Sequence, residues 1–286
     1  MKKIIQRLIV FFVGLPAVLL IVLVFPHLNH LLLNLVIIVF SALSALELKN
    51  ILGQKNLTIS VMEAVIFGAL CPVVWTIVIS FGVTTHIVSS TFVMGAMWLL
   101  VSGIFTSREN LNSFIGRASA GFTLMIYPGF FMSWFIKMAQ FREAGLVILV
   151  FILMVLLNDS TAWLTGMLLG KSNRGVIAAS PNKSIAGFIG GLFASVLTGI
   201  TASVLIPNAF HSYVMPPISA GILLGLLVGA VATLGDLCAS ALKRSAGVKD
   251  SGAVILGRGG ALDSVDSLIL AAPVYYVMYR ALFETI

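Results

Sequence analysis

Apolar runs long enough to cross a bilayer recur along this chain, and they leave it almost no way to fold in water. A membrane helix needs about 20 predominantly apolar residues, and such runs follow one another from Leu8 nearly to the C-terminal end. Charged residues make up only 9% of the sequence and hydrophobic ones 59%, whereas soluble domains carry roughly 25% charge. A water-soluble fold of 286 residues would need far more polar surface than that. The chain therefore reads as all-α, a polytopic integral membrane protein. About nine transmembrane helices can be drawn, at roughly 8–26, 28–46, 61–80, 85–105, 117–138, 145–170, 187–207, 217–242 and 262–284. The stretch from about Leu8 to Phe25 follows Met-Lys-Lys but is long and lacks a small-residue cleavage pattern, so it reads as a retained first helix.

Charge tests this drawing. With the N-terminus in the cytoplasm, the inside loops hold Lys2, Lys3, Arg7, Lys49, Lys55, Arg108, Arg117, Lys171, Arg174, Lys183, Lys243, Arg244, Lys249 and Arg258. Only Lys137, Arg142 and Arg280 fall outside, a division of 14 against 3 among the 17 basic residues. That is the asymmetry of the positive-inside rule. It places the N-terminus inside, and the expected location is a cell inner membrane. The formal net charge of +7 then faces anionic headgroups or phosphorylated ligands. Nucleic acid is not an expected partner, because the basic residues lie between hydrophobic spans instead of covering one soluble face. Cys71 and Cys238 sit inside apolar segments and fit neither a disulfide framework nor a zinc site.

The two halves differ. Residues 1–140 read as a scaffold of transmembrane helices with few ionisable groups inside any span, and residues 141–286 as the catalytic region, because from Asn158 onward polar residues enter the helices and the loops lengthen. Asp159 follows the apolar run Leu146–Leu157, where an aspartate costs at least about 2.5–3.5 kcal/mol to insert and so turns to a polar interior or to a neighbouring helix. The loop from Lys171 through Ser180 and Lys183 to Gly187 offers cations, a hydroxyl and glycines at a helix entrance. That combination suits phosphate through side-chain charge, backbone N–H groups and the helix dipole, although a basic cytoplasmic loop is also ordinary topology. The longest polar stretch runs from Asp236 to Asp266. On a helix Asp236, Ser240 and Lys243 share one face, as do Asp263, Asp266 and Ser267. Carboxylates bracketing a basic, glycine-rich loop suit Mg²⁺ and the phosphates that it bridges.

From Ser240 to Ser267 the chain reads SALKRSAGVKDSGAVILGRGGALDSVDS. It resembles the phosphatidate cytidylyltransferase (CDP-diacylglycerol synthase) family, whose pattern is S-x-x-K-R, four residues, K-D-x-G, then G-H-G-G-x-x-D-R-x-D. Upstream, NDSTAWLTGMLLGK from Asn158 to Lys171 is similar to N-D-x-x-A-Y-x-x-G-x-x-x-G-K. SPNKSIAGFIGG from Ser180 to Gly191 is similar to S-P-K-K-T-x-E-G-F-I-G-G. The resemblance covers roughly residues 155–275, and the first half matches only as a run of spans.

The resemblance implies transfer of CMP from CTP to phosphatidic acid, giving CDP-diacylglycerol and pyrophosphate at a site facing the cytoplasm. By it, Asp236, Asp263 and Asp266 are metal-site carboxylates for Mg²⁺, with a second metal ion as an option. Asp159, Lys243, Arg244, Lys249 and Asp250 fall on catalytic positions, and Lys171, Ser180, Lys183, Ser240 and Arg258 on substrate-binding ones. CTP, phosphatidic acid and membrane lipids are the expected partners, and a homodimer is left open. Three positions depart from the pattern: Arg258 stands in place of His, Ser264 in place of Arg and Ala186 in place of Glu. They keep two alternatives in view, a related lipid nucleotidyl- or phosphotransferase with an altered substrate and a catalytically weak regulatory paralogue.

Overall fold

A computed structural model describes residues 14–105, 111–255 and 259–284. Arg258 and Arg108 lie outside the described residues, as do the N-terminal cations Lys2, Lys3 and Arg7. In chain order the helices are α1 Leu15–Val24, α2 His27–Gly53, α3 Val61–Phe81, α4 His86–Val101, α5 Phe114–Gln140, α6 Ala144–Leu169, α7 Ile185–Leu205, α8 Pro217–Ser245 and α9 Leu262–Phe283. Among the described residues six are long and apolar enough to cross a membrane: α2, α3, α5, α6, α7 and α8. The expected count of nine is thus reached only in part. As described, α1 has 10 residues and α4 has 16, which at about 1.5 Å per residue fall short of a hydrocarbon core about 30 Å thick. Helix α9 has 22 residues but carries Asp263, Asp266 and Arg280. Helix α2 also runs beyond the expected end at 46, so that Glu47 and Lys49 belong to a helix instead of a loop.

The chain divides into two compact units, residues 1–139 with 242–265, and residues 140–241 with 266–286. In the first unit α2 and α3 approach through small residues. A Cβ on Gly68 would lie 3.1 Å from the Ser41 carbonyl, and the Ser41 hydroxyl donates to the Gly68 carbonyl at 2.7 Å and to that of Pro128. Pro128 lies in a π-helical stretch of α5, Met125–Phe130. A proline removes one N–H and crowds the preceding turn, and the widened turn relieves that crowding. Helix α3 starts in a capping box between Ser60 and Glu63, and Glu63 also pairs with Arg117 of α5.

In the second unit α7 lies against α6 and α8 along small residues four apart. Gly187, Gly191, Ser195, Gly199 and Ser203 form one row, and Gly221, Gly225, Gly229 and Thr233 the other. A Cβ on Gly225 would stand 2.5 Å from the Ser195 carbonyl, and one on Gly191 would stand 2.9 Å from the Asn158 carbonyl. Packing this close drives helix association in lipid, where hydrophobic burial gives no advantage. Asn158 knits the row, donating to Ser195 Oγ at 2.9 Å and to the Gly229 carbonyl at 3.2 Å while accepting from Thr233 at 3.3 Å. At the far end of α9 the hydroxyls of Tyr275 and Tyr279 donate to the carbonyls of Val147 and Ala209.

Candidate active site

A cavity of about 440 Å³ opens in the second unit. Helix α6 supplies Asn158, Asp159, Trp163 and Met167, helix α8 supplies Thr233 and Asp236, and the α6–α7 segment supplies Arg174, Asn182, Lys183 and Ser184. Lys183 and Asp236 form an ion pair within it. Ser240, one turn along α8, donates to Asp236 at 3.4 Å. Ser267 donates its hydroxyl to Asp159 at 3.3 Å and its backbone N–H to Asp266 at 2.8 Å. Three acidic groups are thus tied to serines, and one of them, Asp236, is also held by a lysine. Trp163 is 68% exposed and Met167 45% exposed, so polar and apolar groups line the same cavity.

The segment between α6 and α7 is built by backbone bonds. Gly175 N–H donates to the Pro181 carbonyl at 3.0 Å, and Arg174 reaches back to the Gly166 carbonyl at 3.1 Å. The first N–H groups of α7 all have partners within the chain. Ile185 donates to the Asn173 carbonyl, Ala186 to Asn173 Oδ1, Gly187 to Ser184 Oγ and Phe188 to the Ser184 carbonyl. The expectation that this helix entrance offers backbone N–H groups to a phosphate is therefore corrected. The capping loop has taken those donors, which leaves the side chains of Lys183 and Arg174 as the cations lining the cavity. Lys171 is exposed and does not line it, and Ser180 caps a turn through its carbonyl, which accepts from Lys183 N–H at 3.1 Å.

In the first unit, Lys243 is 9% exposed and pairs with Asp263. Asp263 also accepts from the backbone N–H groups of Ser251 at 2.9 Å and Gly260 at 3.1 Å. Arg244, Lys249 and Asp250 are exposed, and Arg244 donates to the Val248 carbonyl at 3.4 Å. Ser264 turns its hydroxyl onto the Gly260 carbonyl at 3.2 Å, a local bond that explains how an uncharged residue is accommodated there. Nothing in the structure explains Ala186.

Hard oxygen donors are the right chemistry for Mg²⁺, and Asp236, Asp263 and Asp266 supply them. Among the described residues no group of three or more His, Cys, Asp or Glu is gathered to hold a metal ion. Asp236 and Asp263 are each turned to a lysine instead.

Sequence reasoning missed two kinds of residue. Arg174, Asn182 and Trp163 line the cavity but carry no spacing that distinguishes them from loop or lipid-facing residues. Glu47 was hidden by its place in the apolar first half, yet it is 5% exposed and accepts three hydrogen bonds. The available signal was a lone acid inside the run from Leu31 to Leu52, the kind of residue that membrane helices retain for a purpose.

A sequence model of the cytidylyltransferase family matches residues 5–282. A phosphatidate cytidylyltransferase of Thermotoga maritima is 31% identical over 242 residues, covering 80% of this chain and 84% of that protein. One of Staphylococcus aureus is 37% identical over 188 residues, covering 64% of this chain and 66% of its own. One of Synechocystis is 40% identical over 118 residues, 41% of this chain and 38% of its own.

Proposed function

Because the chain belongs to the cytidylyltransferase family, we propose that it is a CTP-dependent nucleotidyltransferase that moves CMP from CTP onto phosphatidic acid. The observation that carries this reading is a family match running through nearly the whole chain, with a phosphatidate cytidylyltransferase similar over 80% of it. In the reaction a phosphate oxygen of phosphatidate forms a bond to the α-phosphorus of CTP. The bond from that phosphorus to the β-phosphate oxygen breaks, and pyrophosphate leaves as CDP-diacylglycerol forms, a step of phospholipid biosynthesis.

The attacking group sets what the protein has to do. A phosphate monoester has its second pKa near 6, so at neutral pH it is mostly a dianion and needs no general base. The residues of the chain then bind, orient and neutralise. Lys183 and Arg174, in the cavity of the second unit, suit the phosphates, and Asp236 holds Lys183 in place until they arrive. Trp163 and Met167 suit the glycerolipid beside its headgroup. By their motif positions Asp159, Lys243, Arg244, Lys249 and Asp250 are the further catalytic candidates, and Lys171, Ser180, Ser240 and Arg258 the further substrate-binding ones. Asp236, Asp263 and Asp266 would hold Mg²⁺, with a second metal ion as a further option. When bound, Mg²⁺ supplies charge neutralisation across the transferring and leaving phosphates.

In the membrane, the spans expected from the sequence at roughly 8–26, 85–105 and 262–284 would add three crossings to the six, which gives nine, with residues 1–140 as scaffold and 141–286 as catalytic region. The basic asymmetry supports an N-terminus in the cytoplasm and a site open to the cytoplasmic leaflet of the inner membrane. Membrane lipids surround the protein, self-association would be as a homodimer, and nucleic acid has no part in the reaction. Purified protein given CTP, phosphatidate and Mg²⁺ should release pyrophosphate and form CDP-diacylglycerol, and a chelator should stop both. Pyrophosphate release that ignores phosphatidate, or no turnover at all, would overturn the assignment.

A further inference from the structure

We propose that Glu47, in the apolar first half of the chain, is a positioning residue of the active site, resting on the nucleotidyltransferase reading above. It is buried on α2, where its neighbours in sequence Ala45, Leu48 and Ile51 are buried as well. A carboxylate in such surroundings is costly unless every lone pair facing the protein is met by a donor. The donors all come from one short stretch more than 200 residues away in sequence. Ser251 Oγ–H donates to Oε2 at 2.8 Å, Ala261 N–H to Oε1 at 2.8 Å and Leu262 N–H to Oε2 at 2.9 Å.

The stretch is shaped to receive this side chain. A Cβ on Gly252 would come within 2.5 Å of Glu47 Oε1, and a Cβ on Gly260 would overlap the same carboxyl group. Ala261 and Leu262 stand at the start of α9, where N–H groups lack partners inside the helix and the dipole favours negative charge. Glu47 therefore caps α9 from another helix.

What gives the cap a functional meaning is the second carboxylate in the same backbone. Ser251 sends its hydroxyl to Glu47 and its N–H to Asp263, while Gly260 sends its N–H to Asp263 and the next two residues send theirs to Glu47. The two acids divide five donors of one segment between them. Asp263 in turn holds Lys243, so the position of that ion pair depends on a backbone that Glu47 fixes. Glu47 touches no reacting atom in this arrangement. It sets where Asp263 and Lys243 stand.

Glu47→Gln keeps the shape and inverts one donor–acceptor match, because either orientation of the amide sets its NH₂ against a backbone N–H of Ala261 or Leu262. Three readouts test the proposal on the full-length protein in detergent. Hydrogen exchange of the peptide spanning 250–262 should quicken in Glu47→Gln while the α3 and α6 peptides keep their protection. The kcat for CTP and phosphatidate should fall by about tenfold to a hundredfold, the scale for groups displaced from their productive geometry. Ser251→Ala, a gentler lesion in the same network, should show a smaller loss, and the double variant should lose less than the product of the two. Wild-type exchange in 250–262 would overturn the proposal, as would a fall in melting with exchange quickened throughout, or full multiplicativity of the two substitutions. Absence of turnover in the wild-type protein would instead remove the nucleotidyltransferase reading, with the exchange result still deciding whether Glu47 orders the segment.

Discussion

Lys183 and Asp236 show how a single contact changes what a residue can be asked to do. Lys183 has its ammonium on the Asp236 carboxylate inside the cavity, and both side chains keep about a quarter to a third of their surface exposed, at 25% and 32%. A pair this accessible adds little to stability, so its substitution should show in chemistry and leave the fold intact. Lys183→Ala is expected to lower kcat/KM for CTP-dependent turnover by about 2–4 kcal/mol in transition-state terms, the scale for one preorganised charged donor, with an unchanged melting midpoint. A variant within twofold of wild type would remove Lys183 from the site. The role expected of Arg258 belongs to the same scale, but that residue lies outside the described residues. Lys183, Asp236 and Asp159 were identifiable from motif positions. That the lysine would choose Asp236 was not, because the two are carried by separate elements and only folding sets their distance.

At the scale of the element, the rows of small residues on α7 and α8 decide how closely the helices of the second unit approach. Each Gly or Ser in the row leaves room for backbone from the facing helix, and the space beside Gly225 is filled by the Ser195 carbonyl at 2.5 Å from where a Cβ would stand. Gly225→Leu should therefore force the helices apart, lowering the melting midpoint in detergent and the yield of folded protein. Overpacking of this kind costs about 1–3 kcal/mol or more. Gly175→Ala meets no atom within 4 Å, yet φ there is +82°, so its penalty is local backbone strain in the α6–α7 segment. A Gly225→Leu protein with an unaltered melting curve would contradict the packing described. The fourfold spacing was present in the sequence, but spacing by itself does not name the partner row.

For the whole molecule, the testable property is the side on which each loop lies. Lys249 and Tyr213 are both exposed and belong to loops on either side of α8, whereas Ser212 is buried, 6% exposed, and would label poorly. With Cys71 and Cys238 replaced, Lys249→Cys should react only with a reagent admitted to the cytoplasm, and Tyr213→Cys with one applied from outside. Labelling of both from one side would end the nine-crossing topology. The sequence by itself determined the solvent, the helical class and the family, because hydrocarbon admits few backbone structures and one long gapped motif is hard to meet by chance. It also marked the acidic and basic residues of the second half. Only the tertiary structure decided that the first N–H groups of α7 are already bonded and that Lys183 answers Asp236. It alone drew Glu47 into the segment before α9. Those outcomes depend on which side chains arrive within about 3 Å of one another, a distance that no periodicity encodes.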